Sequence, residues 1–138
     1  MPYKNFVLSL NCTEDEKNVI DEAVKLASIL QAEITVIHIN DPAAGKIHML
    51  MDSMPLVTDK EIRELFRKFG HAKEAKTIHI RLIESEFYSR EIALATRDAD
   101  LLIMGHHPKN AFLAALTDST DERVADMISC PMLIVPLH

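Results

Sequence analysis

No apolar run in these 138 residues approaches the ~20 residues that a helix needs to cross a bilayer, and no secretory apolar segment stands near the first residue. A cytoplasmic chain without a membrane partner is expected. Positive charge is also in short supply. Fifteen Lys and Arg stand against 21 Asp and Glu, for a formal net charge of −6 and a pI near 5.6. No concentrated Lys/Arg face of the kind that wraps a phosphate backbone is visible, which argues against a nucleic-acid partner. Cysteine is limited to Cys12 and Cys130, without a CxxC spacing or a basic neighbourhood. One follows the first strand and the other precedes the last, at opposite edges of a parallel sheet, so free thiols are expected. Repeats and low-complexity tracts are missing too.

What is present is a chain with 48% hydrophobic residues, enough for one domain over 1–138 with its own core. Apolar runs alternate with helical patterns five times, the pattern of a parallel α/β sheet. Strands are expected at about 4–10, 33–39, 77–83, 100–104 and 132–136. The first helix starts at Thr13-Glu14-Asp15-Glu16, a capping box, and turns Val19, Ile20, Ala23, Val24, Ala27 and Leu30 to one face. Thr58-Asp59-Lys60-Glu61 is a second capping box, followed by Ile62, Leu65, Phe66 and Phe69 on a buried side, with Gly70 placed to end or bend the helix. A third helix is expected from about Glu86 to Arg97 with Ile92, Ala93 and Ala95. A fourth begins near Ser119, with Val124, Ala125 and Ile128 inward. The connection between Asn40 and Val57 is long and holds Met49, Leu50, Met51 and Met54. It reads as a short helix or flap packed on the sheet edge, or as an adaptable apolar surface for a partner.

The last third is the most informative. Leu101-Leu102-Ile103-Met104 opens at Gly105 into a polar loop, the chain restarts as a helix near Ser119, and Met132-Leu133-Ile134-Val135 forms a second apolar strand. That order of parts can cradle a phosphate, because glycine lets backbone N–H groups approach an anion and a helix N-terminus carries partial positive charge.

Gly105-His106-His107-Pro108, nine residues, then Asp118-Ser119, with Thr120-Asp121-Glu122-Arg123-Val124 and Cys130-Pro131-Met132-Leu133-Ile134-Val135 after them, resembles the universal stress protein family. Nucleotide-binding members of that family carry Gly, two residues, Gly, nine residues, Gly, then Ser or Thr. The spacing matches without a gap, but Pro108 stands at the second glycine and Asp118 at the third. Tyr3 to Leu10 resembles the family's opening strand, which in nucleotide-binding members ends in Asp and here ends in Asn11. Glu33 to Ile39 resembles its second strand. The resemblance implies an open five-stranded parallel sheet of order 3-2-1-4-5, with helices on both faces. It further implies a cofactor-side set of Asn11, Ile39 on the adenine side, Gly105, Ser119 and Thr120, and a homodimer through Met132, Leu133, Ile134 and Val135. Asn11 and Gly105 then end the two strands that flank the reversal of strand order, where open α/β sheets bind ligands.

Each of these residues also has a plain structural role open to it. Ser119 lies three residues before Glu122, as in a capping box. Gly105 suits a strand-to-loop turn with positive φ, and Asn11 suits a turn. Pro108 has no N–H to donate, and the Asp118 carboxylate would repel a phosphate at ~4 Å by about 4 kcal/mol. His106 and His107 read as an exposed loop, or with Asp118 as a metal site, although no metal is expected. His38 and His79 read as sheet histidines. An HxGH loop, a Ser-Gly-Gly loop after the first strand and a paired-Asp pocket are all missing, so catalysis is not expected. The reading is a dimeric cytoplasmic stress factor with an unknown protein partner and no stable cofactor. The alternative is an ATP- or AMP-binding stress protein.

Overall fold

The computed structural model describes residues 3–42, 56–107 and 120–137. Five strands form one sheet: β1 (Asn5–Ser9), β2 (Glu33–Asn40), β3 (His79–Glu84), β4 (Leu101–His106) and β5 (Met132–Pro136). Their order is β3-β2-β1-β4-β5, and every pairing is parallel. The order steps outward from β1 in one direction through β2 and β3, and in the other through β4 and β5. β1 is therefore central, and its register sets both sides: Leu8 lies opposite Val36 of β2 and Ile103 of β4. A strand enclosed on both faces should be apolar at every position, and Phe6, Val7, Leu8 and Ser9 are all buried.

The helices divide between the two faces. Phe6, Leu8 and Leu10 pack with Val19, Ile20 and Ala23 of α1 (Lys17–Leu30) and with Ile62 and Phe66 of α2 (Asp59–Lys68). Val7 turns the other way, to Ile92 of α4 (Tyr88–Ala95) and Val124 of α5 (Thr120–Met127). Each fully buried Leu, Ile or Phe contributes about 1.5–3 kcal/mol, so the two layers together hold the sheet. At the amino end, the Asp100 carboxylate accepts the N–H groups of Lys4 and Asn5, both at 2.8 Å, and these bonds hold its carboxyl below the usual range. That contact fixes the start of β1 against β4.

Helix boundaries follow the expected signals in most places. Thr58 caps α2, its hydroxyl accepting the Glu61 N–H at 3.3 Å. Gly70, at φ 89°, ends the α2 segment in a left-handed residue, and His71 N–H returns to the Phe66 carbonyl at 2.9 Å. Four details differ. Leu30 and Ala125 are exposed rather than inward: Leu30 is the last residue of α1, past the core it covers, and Ala125 follows Val124, which takes the inward position in α5. α4 is shorter than expected; the Thr96 hydroxyl closes its last turn by donating to the Ile92 carbonyl at 2.9 Å. A four-residue helix, α3 (Glu74–Thr77), precedes β3, which starts at His79 rather than 77. Last, Gly105 and His106 belong to β4, which runs past the strand end expected at Met104.

Candidate functional site

The carboxyl ends of β1 and β4 are where the strand order reverses. The chain leaves β1 toward α1 on one face, and α5, the next described element after β4, packs on the other, the arrangement in which open α/β sheets bind ligands between the two strand ends. After β1 the backbone stays paired through Leu10, whose N–H donates to the Ile37 carbonyl at 3.1 Å. It then turns sharply at Cys12, a non-glycine residue at φ 66°. The turn is held from below by Glu16, which is 2% exposed. One Glu16 oxygen accepts the Asn11 N–H at 2.8 Å and the other accepts the Thr13 N–H at 2.9 Å. Burial pushes the Glu16 carboxyl up, while bonds from the Asn11, Thr13 and Cys12 N–H groups pull the other way. The Thr13 hydroxyl donates to Asp15.

Beside this turn sits a thiol next to an imidazole. Cys12 Sγ is 3.6 Å from His38 Nδ1, and the same Nδ1 is 2.8 Å from the Leu10 carbonyl. A carbonyl only accepts, so Nδ1 carries the proton and cannot take one from the thiol. Burial, followed by the nearby charges of Glu16 and Glu61, raises the Cys12 thiol to about 12. This pair is therefore no nucleophile and base. Both cysteines are free, as expected, and burial raises the Cys130 thiol as well.

Three of the five expected site residues meet at this edge: Asn11 beyond β1, Ile39 near the end of the neighbouring β2, and Gly105 in β4. Asn11 is exposed and Ile39 is partly buried on the α4 side. Ser119, Pro108 and Asp118 lie outside the described residues, and Thr120 begins α5. Gly105 does not have the positive φ expected of a turn. The close neighbour is another: a Cβ would lie 2.6 Å from Leu137 Cδ1, in the segment that follows β5, so Leu137 would have to shift. His107 turns to Asp15, with Nε2 at 2.9 Å from Oδ2. No group of three or more His, Cys, Asp or Glu side chains among the described residues is placed to hold a metal ion.

Two further residues at this edge carry no sequence motif. Tyr88, the first residue of α4, brings its hydroxyl to 3.2 Å from that of Ser9, the last residue of β1. Its ring packs in the same cluster as Ile39. Asn40, the last residue of β2, is buried and binds the backbone of Val57, which draws the two ends of the long connection together. The methionines of that connection, Met49, Met51 and Met54, lie outside the described residues, as does Leu50. A cleft of about 260 Å³ lies at the opposite end of the sheet, where α1 ends and β2 begins, between Ala27, Ser28, Glu33 and Lys73. It is remote from the strand-order reversal.

The fold is that of an open, doubly wound parallel α/β protein with its crevice between the first and fourth strands. The chain belongs to the universal stress protein family, whose model matches residues 2–136. It is 27% identical to the universal stress protein A homolog of Haemophilus influenzae, covering 99% of this chain and 98% of that protein. It is 23% identical to universal stress protein D of Escherichia coli, over 96% and 99%. Among solved structures, a universal stress protein in complex with cAMP superposes with a TM-score of 0.71 at 19% identity, covering all of both chains. The universal stress protein of Archaeoglobus fulgidus in complex with dAMP gives 0.58 at 12% identity, over 98% and 99%.

Proposed function

We propose that this chain is a dimeric, cytoplasmic stress-response protein that does not hold ATP stably and acts through a protein partner rather than through catalysis. The observation that carries this reading is at the first lip of the crevice. The backbone donors of Asn11 and Thr13 at that lip already serve the buried Glu16 carboxylate. Asn11 stands where nucleotide-binding relatives have Asp, and Pro108 and Asp118 stand where they have glycine. Dimerisation is supported by β5, an edge strand with Ile134 36% exposed, since an apolar sheet edge is normally paired or covered. Native mass spectrometry of the purified protein tests both parts at once. A dimer with no retained ligand is expected, and a retained ATP would overturn the reading.

A second reading, binding of AMP or a related nucleotide, is favoured by the likeness to structures solved with cAMP and dAMP. A monophosphate carries less charge than ATP for the Asp118 carboxylate, which stands at the family's third glycine, to repel. Retention of a monophosphate in the same spectra would select it.

A further inference from the structure

We propose that the crevice is occupied by the protein's own acidic turn, with the Asp15 carboxylate bound to His107 in the place of a ligand's phosphate. The inference rests on the reading that this crevice is the ligand site. Asp15 belongs to the Glu14–Glu16 turn that follows β1, and His107 is the residue directly after β4. Their contact at 2.9 Å therefore spans the two lips of the opening.

The same turn supplies the carboxylate that takes the Asn11 and Thr13 N–H groups. Glu16 thus takes two backbone donors of the first lip, and Asp15, on the same turn, takes the His107 contact from the second. The two carboxylates differ in how firmly they are held. Glu16 is buried and braces the backbone, so replacing it would disturb the turn itself. Asp15 is 37% exposed and His107 55% exposed, and an ion pair so placed is weak and easily exchanged. Asp15 is therefore the part that a ligand can displace. A phosphate monoester offers three acceptor oxygens and more negative charge than a carboxylate, so it competes for the His107 Nε2–H. While Asp15 remains, its charge also repels the incoming phosphate. A nucleoside without phosphate has no such competition.

Calorimetry with AMP and with adenosine tests this on three proteins: the wild type, Asp15→Asn, and Asp15→Asn with His107→Ala. Thermal melts confirm that each is folded. Asp15→Asn should bind AMP about fivefold or more tightly than the wild type, the size of one exposed ion pair. Its affinity for adenosine should not change, and the double variant should lose the gain. The proposal is overturned by unchanged AMP affinity in Asp15→Asn, by a gain that survives removal of His107, or by an equal gain for adenosine. Tight binding of ATP·Mg²⁺ by the wild type would instead overturn the proposed function, and the ratio between the variants would still decide the role of Asp15.

Discussion

The side-chain amide of Asn40 grips the backbone of Val57 from both sides: Nδ2–H donates to the Val57 carbonyl at 3.2 Å, and the Val57 N–H donates to Oδ1 at 3.1 Å. The amide reproduces the two-bond pairing of a strand neighbour for Val57, while the Asn40 backbone stays opposite Glu84 of β3. Asn40→Leu removes both bonds and leaves the Val57 groups unmatched, at a cost of about 1–3 kcal/mol. Urea denaturation should show a lower midpoint with an unchanged slope.

Gly105→Ala should destabilise the fold by about 1–3 kcal/mol, because the new Cβ meets Leu137 at 2.6 Å. The clash has one partner. Adding Leu137→Ala should therefore cost less in the Gly105→Ala background than in the wild type, and a double-mutant cycle measures that coupling. Strict additivity would show that Gly105 is required for another reason.

Asp21 provides a pH-dependent tie between α1 and the residues after α2. Burial would raise its carboxyl, but bonds from Lys17 at 2.6 Å and His71 at 2.7 Å outweigh burial and hold it below 3.8. A lowered folded pKa adds stability above the unfolded value and loses it as pH falls through the folded one. Asp21→Asn should thus be less stable than the wild type at neutral pH, by about 0.5–1 kcal/mol for a part-exposed pair. The difference should close only in acid below pH 3.8.

Ile134→Lys on the exposed edge of β5 should give a monomer in light scattering, where the wild type gives a dimer. A lysine on that edge would have to be desolvated in any pairing. A wild type that is monomeric at micromolar concentration would remove the dimer from the proposed function.

ATP·Mg²⁺ should show no dissociation constant below about 100 μM in calorimetry, and negligible thermal stabilisation at comparable concentrations. The triple variant Pro108→Gly, Asp118→Gly, Asn11→Asp should gain about tenfold or more in ATP affinity. An unchanged affinity in a folded triple variant would mean that something other than the replaced glycines closes the site.

The sheet was readable in the sequence because a strand covered on both faces reads as an apolar run, as in Phe6 to Leu8 of β1 and Leu102 to Met104 of β4, and because the edge strand β5 is apolar in sequence as well. The expected order 3-2-1-4-5 is the observed one. Periodicity failed where a helix runs past the core it covers, as at Leu30, and where an element is too short to have a period, as in α3. The site was legible only by position. Asn11, Ile39 and Gly105 do arrive at one edge, yet what holds that edge together is long-range: Tyr88 reaches Ser9 across 79 positions, and Gly105 is shaped by Leu137. No local pattern encodes such a partner. From the sequence, Gly105 reads as a cradle glycine or a turn glycine; its φ is not positive, and its tight neighbour is Leu137.

Cys12 sits at the bend of the first lip, with its thiol raised to about 12 and its Sγ against His38. At pH 8 only about one molecule in ten thousand would carry the thiolate that alkylating reagents attack. Labelling of this residue should therefore be slow while the bend is intact. With Cys130 removed, the rate at which a reagent consumes Cys12 would rise with any opening of that bend, which makes the thiol a reporter of local unfolding beneath the crevice.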